Sequence, residues 1–469
     1  MLRDLLSRLA PRAPLMTLCA AALLTACGGG DVETPASSDS AGIDAATMKA
    51  LMVSTSAVPR DIVVMLHSGV AATGFARSYG VAVIDQFGKR PIYRMRAASG
   101  AAAARLIQRM RADPRVQFAE HNELSQTPEA RWDVSWAIWD VSWAIGNGGQ
   151  SYTAQWAPQA LNLAAAHQFS VGERVRIAVL DTGADLQHPA LIAHFLRGPD
   201  GRVVGRDFVD DDGDPSEVGG PVDQGWGHGT HVAGLVALAA PQARLMPLRV
   251  LDPAGRGNVW VLAEALMHAV DPDGDPATDD GAHVVNLSLG THAATRLLNT
   301  AVELATCSDD DDDEAEDDYS DPGFDDDRQR CNLRAGAVVL AAAGNAGSST
   351  ERVYPAAEGA EGQLAVTALN ASGLLPAFAN RGDWIQLAAP GDKLISPMPG
   401  GGYGVWSGTS MAAPLATGIA ALVLARHPDW KAVDVTKRLI DRGVPICGTS
   451  MVRLDAAAAV LDYTPPSRC

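Results

Sequence analysis

The fold of this chain is decided by the stretch Gly408-Thr409-Ser410-Met411-Ala412-Ala413-Pro414, which an apolar run at residues 415–424 follows. The run predicts a buried helix that begins close to Ser410. We expect Gly408 to allow a tight turn and Pro414 to fall in the first helical turn, where its missing N–H costs little. Backbone N–H groups and the positive end of the helix dipole lie beside such a hydroxyl and favour negative charge on a nearby oxygen. The stretch therefore predicts a serine positioned for chemistry.

Two other blocks supply the base and the carboxylate that a serine hydroxyl needs before it becomes a useful nucleophile. Residues 175–183 read VRIAVLDTG, which predicts a short buried strand with Asp181 at its carboxyl end. Residues 227–234 read GHGTHVAG, which predicts an apolar helix with His228 in its first turn. Because open parallel sheets place ligand sites at the carboxyl ends of their strands, we expect Asp181, His228 and Ser410 on one edge of a sheet.

Strands and helices alternate along the last two-thirds of the chain. Further strands are predicted at residues 244–251, 282–288 and 337–343, and further helices at residues 259–270 and 295–306. This alternation predicts an α/β fold, with a doubly wound parallel sheet and helices on both faces. We assign residues 151–469 to this domain.

The three blocks together resemble the subtilisin-like serine proteases (subtilases), whose triad follows the chain order Asp, His, Ser. The resemblance covers roughly residues 150–465. It implies that Asp181, His228 and Ser410 form the triad, with His228 as the base and His231 in a packing role. It also implies an endopeptidase that needs no cofactor for its chemistry, that acts on protein or peptide substrates, and that binds no nucleic acid.

The same resemblance implies further site residues. Asn345 ends a buried strand, and its side-chain NH₂ would bind the oxyanion together with the Ser410 N–H. Without the neighbouring motifs, Asn345 would be an ordinary turn residue. An extended substrate would pair with the backbone of one edge and lie beside a second edge and an apolar pocket of medium size. The residues implied for these contacts are Ser288, Leu289, Gly290, Gly255, Gly257 and Val353.

The N-terminal residues 1–27 are expected to be a signal peptide. Arg3, Arg8 and Arg12 precede an apolar run that is too short to span a membrane. The run ends in Leu24-Thr25-Ala26-Cys27, which resembles a bacterial lipobox, so Cys27 would carry a lipid. The alternative is an ordinary signal peptide with an incidental cysteine. Residues 28–56 then form a flexible tether, and the protein is exported and lipid-anchored to a bacterial membrane, or released after processing.

Residues 57–127 are expected to form a small α+β domain. Strand patterns at residues 60–66, 81–84 and 115–120 flank a helical pattern at residues 101–111. The domain resembles the inhibitor-type propeptide of subtilases, which implies a zymogen that its own propeptide inhibits. The alternative is an accessory domain unrelated to inhibition. We expect the cut between about residue 122 and residue 150.

The segment 128–150 contains the sequence WDVSWAI twice in succession, at residues 132–145. We interpret it as a duplicated linker whose indoles pack on the catalytic domain. Contact with a membrane interface is the alternative.

The net charge of −18 is largely local, because the insertion 308–327 carries 13 acidic residues and no lysine or arginine. Such a run is usually a solvated loop. Together with the loop 271–280 it leads to the hypothesis of an acidic, calcium-binding face away from the catalytic edge. The sequence does not assign particular residues as metal ligands. The usual calcium site of the family is not carried over, because Ala190 stands where an acidic ligand is expected.

Cysteine usage agrees with export. Cys19 and Cys27 belong to the signal region, which leaves four of the 6 cysteines for the folded protein. Cys307 and Cys331 bracket the acidic insertion, and Cys447 and Cys469 lie near the C-terminus. Sequential pairing is our prediction among three connectivities, and free thiols are the alternative.

Three classes of function compete for this sequence. An active endopeptidase is favoured, because all four catalytic positions are filled. An inactive binding module with the same fold is the second class. A serine hydrolase on another α/β fold, such as an esterase, would need a Gly-x-Ser-x-Gly elbow and the chain order Ser, Asp, His, and the sequence has neither.

Overall fold

The structure is a computed structural model that describes residues 57–128, 148–275, 277–307 and 336–466. Several predictions from the sequence fall outside these ranges: the signal peptide and tether with Cys27, the tandem WDVSWAI repeat, the acidic insertion, and the cysteines Cys331 and Cys469. The disulfide pairing therefore stays a prediction, although Cys307 and Cys447 lie within the described ranges.

The described residues form eleven helices and sixteen strands, which we number in chain order. The helices are α1 Ala72–Tyr79, α2 Gly100–Met110, α3 Gly148–Ala154, α4 Trp156–Ala160, α5 Leu163–Ala166, α6 His228–Ala239, α7 Val259–Val270, α8 Arg296–Thr306, α9 Thr409–Arg426, α10 Ala432–Asp441 and α11 Ala456–Leu461. The strands are β1 Ala57–Leu66, β2 Ala82–Gln86, β3 Ile92–Arg96, β4 Val116–Gln126, β5 Arg176–Asp181, β6 Arg206–Asp207, β7 Arg244–Arg249, β8 Arg256–Asn258, β9 Val284–Leu287, β10 Val338–Ala342, β11 Gln363–Leu369, β12 Leu387–Pro390, β13 Leu394–Met398, β14 Gly402–Trp406, β15 Val444–Pro445 and β16 Val452–Arg453.

A nine-stranded sheet forms the centre of the larger domain, in the order β15-β16-β12-β11-β10-β9-β5-β7-β6. All its pairs are parallel except β15 with β16 at one edge. The antiparallel pair follows from a short hairpin connection, in which the Ile446 N–H donates to Met451 O at 3.0 Å. The predicted α/β fold with a doubly wound parallel sheet is thus confirmed, with a mixed edge that the sequence did not reveal.

Helices cover both faces of this sheet. Helices α6 and α9 belong to the apolar core on one face, and α7 and α8 belong to the core on the other. The predicted helix at residues 259–270 coincides with α7, and that at 295–306 begins one residue early. Among the described residues, α9 is the one helix whose length and apolar composition would suit a membrane span, but 89% of it is buried within the protein. We therefore describe α9 as the central core helix.

The N-terminal module, residues 57–127, contains an antiparallel sheet in the order β2-β3-β1-β4, with its own apolar core. Helices α1 and α2 contribute Phe75, Ile107 and Met110 to that core. The sequence analysis missed α1 and β3, because the arginines Arg94 and Arg96 in β3 interrupt its apolar pattern. It also ended the last strand too early, since β4 continues to Gln126 and pairs with β8 of the larger domain.

Candidate active site

Asp181 and His228 meet at the carboxyl edge of the sheet. Asp181 is the last residue of β5 and His228 the first of α6, and both are buried. His228 Nδ1 lies 2.7 Å from Asp181 Oδ1, which also accepts the Thr182 N–H at 2.8 Å. A carboxylate can only accept, so Nδ1 carries the proton. This tautomer leaves Nε2 of the imidazole as the atom that can take a proton from a substrate or nucleophile.

Ser410 is buried in the first turn of α9, where two hydrogen bonds connect it to Ser288 at the end of β9. The Ser288 hydroxyl donates to Ser410 O at 2.9 Å, and Ser410 Oγ donates to Ser288 O at 3.3 Å. Because β9 is the neighbour of β5 in the sheet, these bonds hold Ser410 beside the strand that ends in Asp181. The three predicted triad residues thus converge on the carboxyl ends of adjacent strands.

The expected position of Pro414 in the first helical turn is wrong, because α9 begins at Thr409 and Pro414 lies inside the helix. In a regular helix the residue at position 414 would donate its N–H to Ser410 O. Proline has no N–H, so that carbonyl accepts from the Ser288 hydroxyl instead. The proline therefore has a consequence for the site, since it leaves an acceptor for the bond that joins α9 to β9.

The expected tight turn at Gly408 is also wrong. Gly408 has an extended backbone with φ 166°, which any residue can adopt. Its N–H donates to Gly391 O at 2.8 Å. A Cβ on Gly391 would lie 2.7 Å from Gly408 O, so the glycine that this close approach requires is Gly391.

The Asn345 side chain is oriented by Thr409, the residue before Ser410. Asn345 Oδ1 accepts the Thr409 N–H at 2.9 Å and the Thr409 hydroxyl at 3.0 Å. Thr409 Oγ1 in turn accepts the Gly344 N–H at 3.0 Å. With its oxygen occupied by Thr409, the amide directs its NH₂ donors elsewhere. The sequence analysis named Asn345 but gave Thr409 no role, because the local sequence does not show what the Thr409 side chain binds.

An extended segment of the N-terminal module, residues 124–127, lies between two edges of the larger domain. On one side, Gln126 and Gly290 exchange both backbone hydrogen bonds at 2.9 Å. On the other, Ser125 pairs with Gly257 in the β4–β8 ladder, and the Thr127 N–H donates to Gly255 O at 3.0 Å. The edges predicted from the sequence to bind an extended peptide therefore already hold one, which is part of the same chain.

The side chains of Leu289 and Val353 are both buried. Leu289 packs in the apolar core beneath the sheet, so only its backbone belongs to the edge. Val353 lies between that edge and the Asn345 turn. A Cβ on Gly290 would lie 2.5 Å from Val353 Cγ1, and one on Gly344 would lie 2.7 Å from Val353 Cγ2.

An aromatic side chain that the sequence analysis did not name packs on both histidines of α6. The Trp406 ring lies 5.3 Å from the ring of His228 and is stacked on His231, also at 5.3 Å. His231 Nε2 lies 3.2 Å from Leu394 O. Burial lowers the pKa of His231 to about 3, so this side chain stays neutral. These contacts agree with the packing role expected for His231.

Part of the acidic loop 271–280 comes together. Carboxylate oxygens of Asp271, Asp273 and Asp280 all lie within 4.8 Å of one another. The Thr278 hydroxyl lies 3.1 Å from both oxygens of Asp273 and 3.4 Å from Asp280 Oδ1. Burial, aided by the negative charges of Asp280 and Asp273, raises the pKa of Asp271. Oxygen donors of this kind suit a hard cation such as Ca²⁺. Asp271, Asp273 and Asp280 are therefore the candidate ligands of the calcium hypothesis.

Comparison with known proteins gives matches over both domains. The family model described as the Subtilase family matches residues 172–444, and that described as the Fervidolysin N-terminal prodomain matches residues 48–122. The thermophilic serine proteinase of Bacillus sp. (strain AK1) is 33% identical over 333 residues, or 68% of this chain and 66% of that protein. Subtilisin E of Bacillus subtilis (strain 168) is 35% identical over 280 residues, or 57% of this chain and 60% of that protein.

Solved structures have the same fold. The crystal structure of fervidolysin from Fervidobacterium pennivorans, described as a keratinolytic enzyme related to subtilisin, matches with a TM-score of 0.63 at 20% identity. It covers 88% of this chain and 62% of that one. A protease of Pseudoalteromonas arctica PAMC 21717 matches with a TM-score of 0.52 at 27% identity, over 66% of this chain and 98% of that one.

The parallel sheet, together with an aspartate, a histidine and a serine at its carboxyl edge, defines an α/β protein of the subtilisin-like class. The chain belongs to the subtilase family of serine peptidases, is homologous to the subtilisins, and carries a fervidolysin-like N-terminal prodomain. Members of this family need no cofactor for catalysis. The matched region spans 66% and 60% of the lengths of the first two relatives.

Proposed function

We propose that the chain is an exported serine endopeptidase that hydrolyses peptide bonds through an acyl-enzyme and is made as a self-processing zymogen. The observation that carries this proposal is the extended segment 124–127, held by backbone hydrogen bonds between Gly290 and β8 at the edge where Asp181, His228 and Ser410 converge. A binding module would need no such convergence. An esterase would need no cleft that pairs with extended backbone on both sides.

The chemistry follows from the positions of the side chains. His228 takes the proton of the Ser410 hydroxyl as Oγ bonds to the carbon of the scissile peptide. The Asn345 NH₂ and the Ser410 N–H bind the oxyanion, and collapse of the intermediate breaks the C–N bond. The leaving amine takes the proton from His228. A water molecule then attacks the ester carbon while His228 takes one of its protons. Breaking the ester bond releases the acid product, and the proton passes from His228 to Ser410 Oγ, which restores the serine.

Asp181 keeps the His228 imidazole in the tautomer that can accept this proton, and its negative charge stabilises the imidazolium. The Oδ1–Nδ1 distance of 2.7 Å, with both groups buried, supports this role. Backbone pairing to Gly290 on one side and to Gly255 and Gly257 on the other would bind the substrate. Val353 would line the pocket for the residue before the scissile bond, and its apolar side chain suits an apolar residue there.

The N-terminal module would act as the inhibitor of the same chain until it is cut. Its segment 124–127 occupies both binding edges, so a protein substrate cannot enter until this segment leaves. Within the described residues, which end here at 128, the pairing extends to Thr127. We therefore assign the processed bond to residues 127–130, near the start of the expected window. Cleavage there would free the strand end, and loss of the module would open the cleft.

N-terminal sequencing of the full chain beside Ser410→Ala tests this proposal. We expect the wild type to begin shortly after Thr127 and Ser410→Ala to keep its N-terminal module. Ser407→Ala is a matched control, because Ser407 lies three residues away and its hydroxyl donates to Asp392 at 2.9 Å. The control should mature normally. A fluorophosphonate should label Ser410 in the matured enzyme, and casein should be cleaved. Absence of both label and processing would reject the assignment.

Export and lipid anchoring are proposed from the sequence alone. The basic and then apolar segment before Cys27 supports export, and the lipobox-like residues 24–27 support a lipid on Cys27. Expression of Cys27→Ala beside the wild type, followed by detergent partitioning, tests the anchor. We expect the wild type in the detergent phase and Cys27→Ala in the aqueous phase. Equal partitioning of the two would leave an ordinary exported protein.

Disulfide pairing of Cys307 with Cys331 and of Cys447 with Cys469 belongs to the same proposal. The chain leaves α8 at Cys307 and returns at Gly336, and the Ala337 N–H donates to Ala305 O at 2.8 Å. A bridge across the acidic insertion would therefore close a loop whose ends already meet. Mass spectrometry of the unreduced protein should find the two sequential pairs, and free thiols or another pairing would contradict them.

A further inference from the structure

A glutamate that the proposed mechanism does not use joins the two elements that carry Asp181 and His228. Glu217 lies in the loop between β6 and α6 and is partly buried. Its Oε1 accepts a hydrogen bond from the Thr182 hydroxyl at 2.6 Å. Its Oε2 accepts from the Thr230 hydroxyl at 2.8 Å and from the Thr230 N–H at 3.3 Å. One carboxylate therefore binds the residue after Asp181 and the first turn of the helix that begins at His228.

The two threonines extend this connection to the backbone on both sides. Thr182 Oγ1 accepts the Gly229 N–H at 2.9 Å, and Thr230 Oγ1 accepts the Asp185 N–H at 2.9 Å. Each hydroxyl thus donates to Glu217 and accepts from the opposite element. The strand end and the helix start are bonded to each other through a network with Glu217 at its centre.

The loop that carries Glu217 is itself fixed to the strand end. The Glu217 N–H donates to Ala184 O at 3.0 Å, and the Ala184 N–H donates to Pro215 O at 3.1 Å. The N-terminus of α6 supplies N–H groups and the positive end of the helix dipole, both of which favour a carboxylate there. Glu217 is therefore held in place by its own backbone as well as by the groups it binds.

We propose that Glu217 is a positioning residue of the active site, which holds Asp181 and His228 in register and, as an anion, strengthens His228 as a base. This inference rests on the proposed function, because it assigns a role within the same reaction. Glu217 touches neither the substrate nor the reacting atoms. Its effect passes through Thr182 to the Asp181 strand and through Thr230 to the His228 helix.

The negative charge of Glu217 affects the reaction because the carboxylate lies close to the Asp181–His228 pair. The titratable groups on the elements packed around it include Asp181 at the end of β5 and Asp185 after that strand, His228 and His231 on α6, and Asp214 and Asp223 in its own loop. Burial raises the pKa of Glu217 to about 7, and the negative charge of Asp181 adds to this, while the hydrogen bonds it accepts oppose it. Glu217 therefore ionises in the range where a histidine base ordinarily changes charge. An anion beside the Asp181–His228 pair favours the imidazolium.

Two substitutions distinguish the effect of the Glu217 charge from the effect of its side-chain length. Glu217→Gln keeps the length of the side chain and removes the charge. Glu217→Asp keeps the charge and shortens the side chain by one methylene, so that it no longer reaches both threonines. Asp223→Asn is the matched control. It neutralises a partly buried carboxylate of the same loop, which accepts the Gly220 N–H at 2.9 Å and is bonded to neither threonine.

Each variant is prepared as the full chain and allowed to mature. Its active fraction is titrated with a fluorophosphonate, and kcat and KM are measured on one peptide substrate from about pH 5 to 10. We expect Glu217→Gln to move the acid limb of kcat/KM to lower pH by about half a pH unit or more. On the plateau, kcat should fall about 3- to 10-fold with little change in KM.

Glu217→Asp should keep the acid limb where it is in the wild type and lower kcat about 10-fold or more, because the strand end and helix start are then less precisely positioned. Asp223→Asn should behave as the wild type. An unchanged acid limb in Glu217→Gln overturns the inference, even if the melting temperature falls, since Glu217 would then serve stability alone.

If Glu217→Gln does not accumulate as a folded chain, Glu217→Asp decides the question, and a wild-type kcat in that variant overturns the inference. Failure of the proposed function is a separate result. In that case the wild-type chain itself takes no label and cleaves no peptide.

Discussion

The side-chain oxygen of Asn345 accepts two hydrogen bonds from Thr409, one from its N–H at 2.9 Å and one from its hydroxyl at 3.0 Å. The residue before the proposed nucleophile thereby orients the amide proposed to bind the oxyanion. Because both Thr409 and Ser410 belong to the first turn of α9, this turn would supply the nucleophile and also fix one of its two oxyanion donors. The first prediction concerns this pair.

Thr409→Val removes the hydroxyl and keeps the shape of the side chain, so Asn345 retains one of its two bonds. We expect kcat to fall about 10-fold with little change in KM. This is less than the ~10²–10³ known from subtilisin for loss of the oxyanion donor itself. The Gly344 N–H also loses its acceptor, so the free energy of unfolding should fall by about 1–3 kcal/mol. Thr409→Ser is the control and should stay near the wild type, and an unchanged kcat in Thr409→Val would contradict this role.

Glu120 of the N-terminal module caps a helix of the larger domain. Its carboxylate accepts the Arg296 N–H at 2.9 Å and the Leu297 N–H at 3.0 Å, at the start of α8. Removing a helix cap costs about 1 kcal/mol, so Glu120→Ala should weaken binding of the cleaved module about fivefold. After processing, the cleaved module of Glu120→Ala should dissociate at about fivefold higher protein concentration than that of the wild type. Less dilution should therefore be needed before activity appears. Arg105→Ala, at an exposed position of α2, is the control, and the same inhibition in both variants would disprove the capping role.

Glu358 should make the unprocessed chain less stable as the pH rises. Burial, with the nearby charges of Glu303 and Glu120, raises its pKa to about 8. The folded protein therefore binds this proton more tightly than the unfolded chain does. The stabilisation that the protonated Glu358 contributes is fully present below the ordinary carboxyl pKa and is lost as the pH rises towards 8. In a Ser410→Ala background, the melting temperature should fall between about pH 5 and pH 8. Glu358→Gln should weaken that dependence.

The exposed Glu361 serves as the control for this measurement. Glu361→Gln should leave the slope of melting temperature against pH as it is. A slope that Glu358→Gln does not change would assign the pH dependence to other groups.

The calcium hypothesis predicts that Ca²⁺ raises the melting temperature of the processed protein and that a chelator lowers it. The carboxylates of Asp271, Asp273 and Asp280 would share the ion. Asp273→Asn should reduce the difference between the two conditions, since it removes one charge from the cluster. Equal melting temperatures with calcium and with chelator would reject the hypothesis for this loop.

The sequence was sufficient for the parts of the fold that follow from local pattern. Helix α7 was predicted with its observed bounds, because the apolar run within it is a local signal. The Asp181, His228 and Ser410 motifs were identified because each sits in a short stretch of unusual composition. Thr409 and Glu217 were missed for the opposite reason: a threonine beside a serine and a glutamate in an acidic loop look ordinary until their partners are known.

By itself, the sequence determined the alternation of strands and helices and the three side chains at strand ends and helix starts, because apolar periodicity and glycine-rich turns act over a few residues. Only the tertiary structure decided which edges hold residues 124–127, what Ser410 O accepts in place of a helical N–H, and which groups bind Glu217. Those contacts join residues far apart in the chain, for example Ser288 and Ser410, which are 122 positions apart. Pairings at that distance depend on sheet order and helix packing, which no local pattern encodes.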